Sequence, residues 1–338
     1  MKLLKQLCNA YGVSGSEKDI RKLIINRIRN YVDGMEIDSL GNLIAWKKGK
    51  EPRIMLAAHM DEVGLMVKGI GSTGKLSFSV LGGIDPLVLV GQKVVVQSKS
   101  GNINGVITLK GLSDSREIKE CPVLDDLRVD IGLDREEVFK RGVCPGDYLS
   151  LEQGFFNLAN KDMVSSKALD DRVGCYVLLE LAKKLSKIKN EMYYVFTVQE
   201  ELGLYGAKTS AYQVNPDWAI AVDVTNADDF DLKYSKKLGD GPSITIKDAE
   251  MISNKCINQW LIDVARKNKI PFQLDVGDLG TTDARSITLS KAGIPSTVVG
   301  VPVRNLHSTI SIASFKDVEN CIKLLELLLK KPPKVCEV

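Results

Sequence analysis

The chain has 338 residues, 44% of them hydrophobic, with 46 basic against 43 acidic side chains and a net charge of +3. That length accommodates two domains, or one large α/β domain carrying an insertion. The near balance of charge, with no basic block or aromatic–basic interleaving, speaks against a nucleic-acid partner. Apolar runs far shorter than the ~20 residues of a membrane span speak against a membrane protein.

The first residues show no long apolar core and no small-residue cleavage site, so no signal peptide is expected. Seven cysteines are scattered and never in C-x-x-C spacing, which suits reduced thiols and a cytoplasmic location. "SGSEKDIRKLIINRIRNYV" predicts a helix with Ser16 as its N-cap and Asp19 three residues on; Ile20, Leu23, Ile24, Ile28 and Tyr31 recur at helical spacing. "GNLIAWKKG" predicts a strand ending in a turn, and the continuous apolar run "RIMLAAH" a strand covered on both faces. From about Val67 to Lys161 the texture changes to short β-prone runs, "KLSFSVL", "QKVVVQS", "NGVITL" and "DYLSLEQ", separated by Gly, Asn and Ser turns. One short helix, "DREEVFKRG", interrupts them, with Asp134 and Glu137 as its cap. Beyond Lys161 helices and buried strands alternate: "DDRVGCYVLLELAKKLSKI" is a helix, "EMYYVFTVQEE" and "DWAIAVDVT" are strands, "MISNKCINQWLIDVARKNKI" is a helix, "PSTVVGVPV" a strand and "SFKDVENCIKLLELLLKK" a closing helix. The expected architecture is α/β, a mostly parallel sheet with helices on both faces. It is built from residues 1–67 and 162–338 and split by a small β-barrel or sandwich over 68–161.

"GIGSTG", Gly69 to Gly74, spells the dinucleotide-binding pattern, but that pattern must open a helix. Here it opens "KLSFSVLG", another strand, so it reads as a hairpin turn and no nucleotide cofactor is expected. The acids are more telling, because they fall where strands end or helices begin. His59 and Asp61 follow one strand, Asp170 and Asp171 precede a helix, Glu200 and Glu201 end a strand, Asp223 ends another, and His307 lies just beyond "VVGVPVRNL". Ligands of open α/β sheets bind at the carboxyl ends of the strands. Each residue has an ordinary structural explanation alone: a satisfied histidine, a helix cap, a solvated turn. Together the acids repel one another unless cations sit among them, and carboxylate with imidazole is the usual ligand set for zinc, cobalt or manganese.

"AAHMDEVG", "KALDDRVG", "VQEELGLYGA", "AVDVT", "GTTDA" and "GVPVRNLHS", in this order, resemble the di-metal aminopeptidases of the tetrahedral (TET) family in the MH clan of metallopeptidases. Some members of that family carry the older label cellulase or endoglucanase. The likeness runs from "YGVSGSE" to the last helix and includes "FKRGVCPGD" of the insertion. It implies that Asp170 bridges two divalent ions, zinc first and cobalt or manganese otherwise. His59 and Asp223 would complete one ion's ligands, Glu201 and His307 the other's. Glu200 would be the general base acting on a bridging hydroxide, and Asp61 would fix the His59 tautomer. In the family Asp170–Asp171 is joined by a cis peptide. The resemblance further implies hydrolysis of the N-terminal residue of short peptides with a free N-terminus. It also implies a PDZ-like insertion that makes dimers, and dimers that build a hollow dodecamer. Two alternatives remain: a glycoside hydrolase, which needs two carboxyls and no metal, and an inactive scaffold. "GTTDARSITLS" departs from the family's small-residue run followed by histidine, having Arg285 and Thr288 instead. Arg285 reads as structural; a cationic group near the pocket would otherwise favour an acidic first residue. Arg304 matches an arginine of the family.

Overall fold

The computed structural model describes residues 1–110, 112, 120–227 and 236–333. Helices α1 (Lys2–Asn9) and α2 (Lys18–Ile28) precede strands β1 (Gly34–Ile37), β2 (Leu43–Lys47) and β3 (Lys50–His59). Six strands then follow with two short helices among them: β4 (Gly64–Ile70), β5 (Leu76–Leu81), α3 (Pro86–Leu89), β6 (Lys93–Ser98), β7 (Gly101–Leu109), β8 (Leu127–Asp130), α4 (Arg135–Lys140) and β9 (Tyr148–Glu152). The chain continues with β10 (Phe156–Asn157), β11 (Met163–Ser166), α5 (Leu169–Lys184), β12 (Asn190–Thr197), α6 (Tyr205–Val214), β13 (Trp218–Asn226) and β14 (Ser243–Lys247). It closes with α7 (Lys255–Lys267), β15 (Gln273–Val276), α8 (Asp283–Thr288), β16 (Ser296–Arg304), β17 (Ser311–Ser314) and α9 (Phe315–Leu329).

Eleven strands form one sheet in the order β1-β2-β12-β3-β13-β16-β17-β11-β10, with β14 and β15 attached through β16. Its centre is parallel: β12 lies beside β3, β3 beside β13 and β13 beside β16. The margins are antiparallel extensions, β1 and β2 on one side and β17, β11 and β10 on the other. The continuous apolar text of β3 has a direct explanation, because successive side chains of a strand point to opposite faces. Ile54, Leu56 and Ala58 pack into the core with α1, α2, α5, α7 and α9, while Met55 and Ala57 pack into a second core with residues of α6 and α8. Both faces are therefore covered, as an α/β sheet requires.

The inserted strands close into a separate barrel, β4-β5-β8-β7-β6-β9, filled by its own core of Leu65, Phe78, Val94, Ile107, Val129 and Leu149 among others. The "GIGSTG" segment is a hairpin turn, closed by the Gly71 N–H donating to the Lys75 carbonyl at 2.8 Å. Asp134 and Glu137 form the expected capping box of α4, each accepting the other's backbone N–H, at 2.9 and 3.1 Å. The cap of α2 differs from expectation. Glu17, not Ser16, is its N-cap residue, because the Ser16 hydroxyl donates instead to Gln97 of the barrel at 3.3 Å. Cysteines 8, 121, 144, 175 and 321 are free thiols, whereas Cys256 is disulfide-bonded, which departs from the expectation of reduced thiols; Cys336 lies outside the described residues. Among the described residues no helix is long and apolar enough to cross a membrane.

Candidate metal centre

Parallel strands deliver their carboxyl ends to one edge, and that is where the predicted residues meet. Thr197 pairs with His59 across β12 and β3, so Glu200 and Glu201, just past β12, emerge beside the end of β3. Asp223 sits within β13 opposite Gly300 of β16, and His307 follows β16 by three residues. Asp170 and Asp171 open α5 with non-helical dihedrals and are joined by a cis peptide. A Cβ on Gly174 would stand 2.5 Å from the Val222 carbonyl oxygen. Only glycine therefore lets α5 lie this close to β13 and bring Asp170 to Asp223.

The result is two triads sharing one residue. His59, Asp170 and Asp223 form the inner one; Asp170, Glu201 and His307 form the outer one; in each, the potential ligand atoms lie within 4.8 Å of one another. Asp170 presents one oxygen to each side. Its Oδ1 is 3.0 Å from His59 Nε2, and its Oδ2 is 3.4 Å from His307 Nε2. His59 Nε2 lies 3.7 Å from Asp223 Oδ1, and His307 Nε2 lies 3.4 Å from Glu201 Oε2. Both imidazoles turn the other nitrogen toward acceptors. His59 Nδ1 faces the Asp61 carbonyl oxygen at 3.2 Å and the Asp61 carboxylate at 3.5 Å, and His307 Nδ1 donates to the Gly83 carbonyl at 2.9 Å. Nδ1 thus keeps its proton and Nε2 is the nitrogen left for a cation.

The electrostatics of the cluster follow from its burial and crowding. Burial, reinforced by the charge of Asp170, pushes Glu201 up to about 8. Burial, with Asp170 again adding to it against the His59 charge, pushes Asp223 up to about 7. Glu200 is raised well above the usual carboxylate range by burial and by Asp223, Asp283 and Glu201, against the opposing charge of His59. Asp170 runs the other way, since hydrogen bonds from both histidines outweigh its burial. Its bond in turn lifts His307 to about 9. Glu201 Oε1 is buried with no hydrogen-bond partner. Paired imidazoles, crowded carboxylates and an orphaned buried oxygen are what a cation site looks like before a cation is counted, and the donor set fits a divalent metal.

Asp61 does more than face one ring. Fully buried, it accepts the backbone N–H of Glu200 at 3.1 Å and of Glu201 at 3.2 Å, and the Ser14 hydroxyl at 2.6 Å. Burial opposes its charge, but bonds from His59, Ser14 and Glu200 hold its carboxyl below the ordinary range. Within "YGVSGSE" nothing in the sequence marks Ser14 out from its neighbours. The same holds for Glu62 and Lys167, a buried pair at 2.6 Å, and for Asp283, which accepts the Thr197 hydroxyl at 2.5 Å: their motifs stand out, their individual roles do not. Backbone carbonyls such as that of Gly83 carry no letter and leave no signal.

A cavity of about 1090 Å³ opens over the two triads and Glu200. Its further walls include Asp248, Asp275, Asp278 and Leu279, with Lys236 bound to Asp275 at 2.6 Å. Arg285 does not line it; its guanidinium pairs with Glu250 at 2.7 Å on a half-exposed surface, the structural role expected of it. Arg304 closes β16.

Residues 41–324 match the family described as M42 glutamyl aminopeptidase. A putative aminopeptidase of Acetivibrio thermocellus is 43% identical over 326 residues, 96% of either chain. The TET aminopeptidase from the marine sediment archaeon Thaumarchaeota archaeon SCGC AB-539-E09 superposes with a TM-score of 0.94 at 36% identity, over 98% of this chain and 96% of that one. The Pyrococcus horikoshii TET1 peptidase, which can assemble into a tetrahedron or a large octahedral shell, superposes with a TM-score of 0.87 at 35% identity, over 97% and 98% of the two chains.

Proposed function

The chain belongs to the M42 glutamyl aminopeptidase family, and from that premise we propose how it works as a metal-dependent aminopeptidase. His59, Asp170 and Asp223 would hold one divalent ion and Asp170, Glu201 and His307 a second, with zinc the first choice and cobalt or manganese the alternatives. The single observation that carries this reading is the shared carboxylate: Asp170 aims one oxygen at each histidine, His59 Nε2 at 3.0 Å and His307 Nε2 at 3.4 Å. Bound there, such a pair would acidify a water and polarise the scissile carbonyl.

The remaining work belongs to the chain. Glu200 lines the same cavity and takes the proton of the attacking water, then returns it to the leaving amine. The burial and neighbouring charges that raise its carboxyl are offset once cations are present, which keeps it ionised and able to accept. Asp61 holds both glutamates by their backbone N–H groups and faces the His59 ring. It therefore fixes the base relative to the ligands without touching substrate. The α-amino group of a peptide docks against the carboxylate cluster, which restricts cleavage to the first residue of short peptides.

We further propose that residues 1–67 and 162–338 act as the catalytic domain and 68–161 as the self-association domain, forming dimers that build a dodecamer. The assembly of the Pyrococcus horikoshii relative into a tetrahedron or a large octahedral shell supports self-association. So do the apolar side chains the barrel leaves in the open, Leu87, Val106, Val123 and Phe139, 48–62% exposed.

The test is hydrolysis of leucyl, glutamyl and lysyl amides, with a soluble glucan as a control, before and after EDTA, with metal content measured in parallel. Peptide-amide turnover that disappears with the metal and returns with it supports the reading; turnover indifferent to EDTA would sink it. Glu200→Gln is expected to cut kcat by roughly 10³-fold with metal content unchanged.

A further inference from the structure

Gly82 and Gly83 belong to the barrel, between β5 and α3, yet they lie against the outer triad. The Gly83 carbonyl accepts the His307 Nδ1–H at 2.9 Å. A Cβ on Gly83 would meet His307 Nδ1 at 3.2 Å and Cε1 at 3.4 Å. One on Gly82, held at φ +90°, would sit 2.6 Å from Val63 Cγ1 and 3.1 Å from Glu201 Oε2. One of the three outer donors thus bonds to this dipeptide of the insertion, and a second stands where a side chain on it would have to go. That dipeptide is pinned by the barrel around it. Ile84 and Leu89 are buried in the barrel core, and Asp85 caps α3 by accepting the Leu87 N–H at 2.8 Å. A second tie reaches the His307 loop from the same segment, the Thr309 hydroxyl donating to Gln92 Oε1 at 2.9 Å.

The inner triad has no such dependence. His59 ends a core strand, is 2% exposed, and finds its orienting acceptors on Asp61, two residues away. His307 is 35% exposed and sits in a loop with φ +54°, so little packing holds its ring.

We propose that the Gly82–Gly83 dipeptide is a positioning element for His307 and Glu201, so that the inserted barrel completes the outer ion position while the inner one forms without it. The proposal rests on the two-ion reading above. Its physical cause is the one-way chemistry of a carbonyl: it can only accept, so it fixes the Nδ1–H tautomer and swings Nε2 toward Asp170 and Glu201. Partners of this kind are worth roughly 10–100-fold in metal affinity.

The test titrates the metal-free full-length protein with Co²⁺, following visible absorbance and equilibrium dialysis, for the natural chain, Gly83→Ala and Thr309→Val. The first variant pushes a methyl onto the ring; the second removes the outlying tie and leaves the dipeptide intact. The natural chain is expected to take up two equivalents. Both variants should keep the first at unchanged affinity and bind the second more weakly, about 10–100-fold for Gly83→Ala and several-fold for Thr309→Val. Fewer than two equivalents in the natural chain defeats the two-ion reading itself. Two equivalents there, with the variants either unchanged or weakened equally at both positions, overturns the role of the barrel. Should Gly83→Ala fail to fold, Thr309→Val decides alone.

Discussion

The two triads are built from the same kinds of donor and share Asp170, but they differ in what holds them. The inner histidine and aspartate ride on β3 and β13, neighbouring strands of the sheet centre, and are 2% and 6% exposed. Their geometry is set by the backbone ladder and by core packing on both faces. The outer histidine and glutamate sit on loops past the ends of β16 and β12, and the ring is held by a carbonyl from the segment between β5 and α3. A ligand on a strand inherits its position, whereas one on a loop must have it supplied.

Changes that touch both halves, one half, or neither break or sharpen this contrast. Asp170→Asn removes the shared oxygen charge and should empty both positions, lowering kcat/KM by about 10⁴-fold, as read by metal analysis and peptide-amide kinetics. Loss of a single equivalent would instead mean that the halves are independent. Acidity comes next. Without cations Glu201 is raised by burial to about 8, Asp223 by burial to about 7, and His307 by its bond with Asp170 to about 9. Each of these groups holds a proton below its value, and an entering ion must displace it. Uptake should therefore tighten as pH rises through that range, by up to about tenfold per pH unit for each proton displaced, with proton release measurable in weak buffer. Ser14→Ala acts through Asp61, by removing the 2.6 Å bond to the oxygen that also accepts the Glu201 N–H, and so bears first on the His59 ring and secondarily on the outer side. It should weaken the inner ion about tenfold and lower kcat more than KM, with Ser14→Thr restoring both. Arg285→Ala touches neither triad. Its half-exposed pair with Glu250 contributes no more than about 1 kcal/mol to stability, and the preference between leucyl and glutamyl amides should not move.

The same contrast explains what could be read from the letters. β3 and β13 were legible because a strand buried on both faces writes an unbroken apolar word, and the acids beyond such words mark the open edge of a parallel sheet. The barrel was legible through its turns. The ligand assignments themselves came from motif order, since nothing in the spacing of His59 and His307 tells which acid each will meet. Strands β14 and β15 were missed because they are short, far apart in sequence and joined only in space. Ser16 misled for a related reason: a hydroxyl suited to a local cap was taken by Gln97 of a distant strand. Ser14 and Gly83 matter through contacts 47 and 224 residues away along the chain, a separation that no local pattern encodes.

The donors are spread from His59 to His307 in a chain of 338 residues. A polypeptide interrupted before that last imidazole, on a stalled ribosome or after a nick, can assemble the inner triad at most. The outer triad therefore waits on a residue far along the chain from His59, and a chain that stops short of it lacks one of the three outer donors.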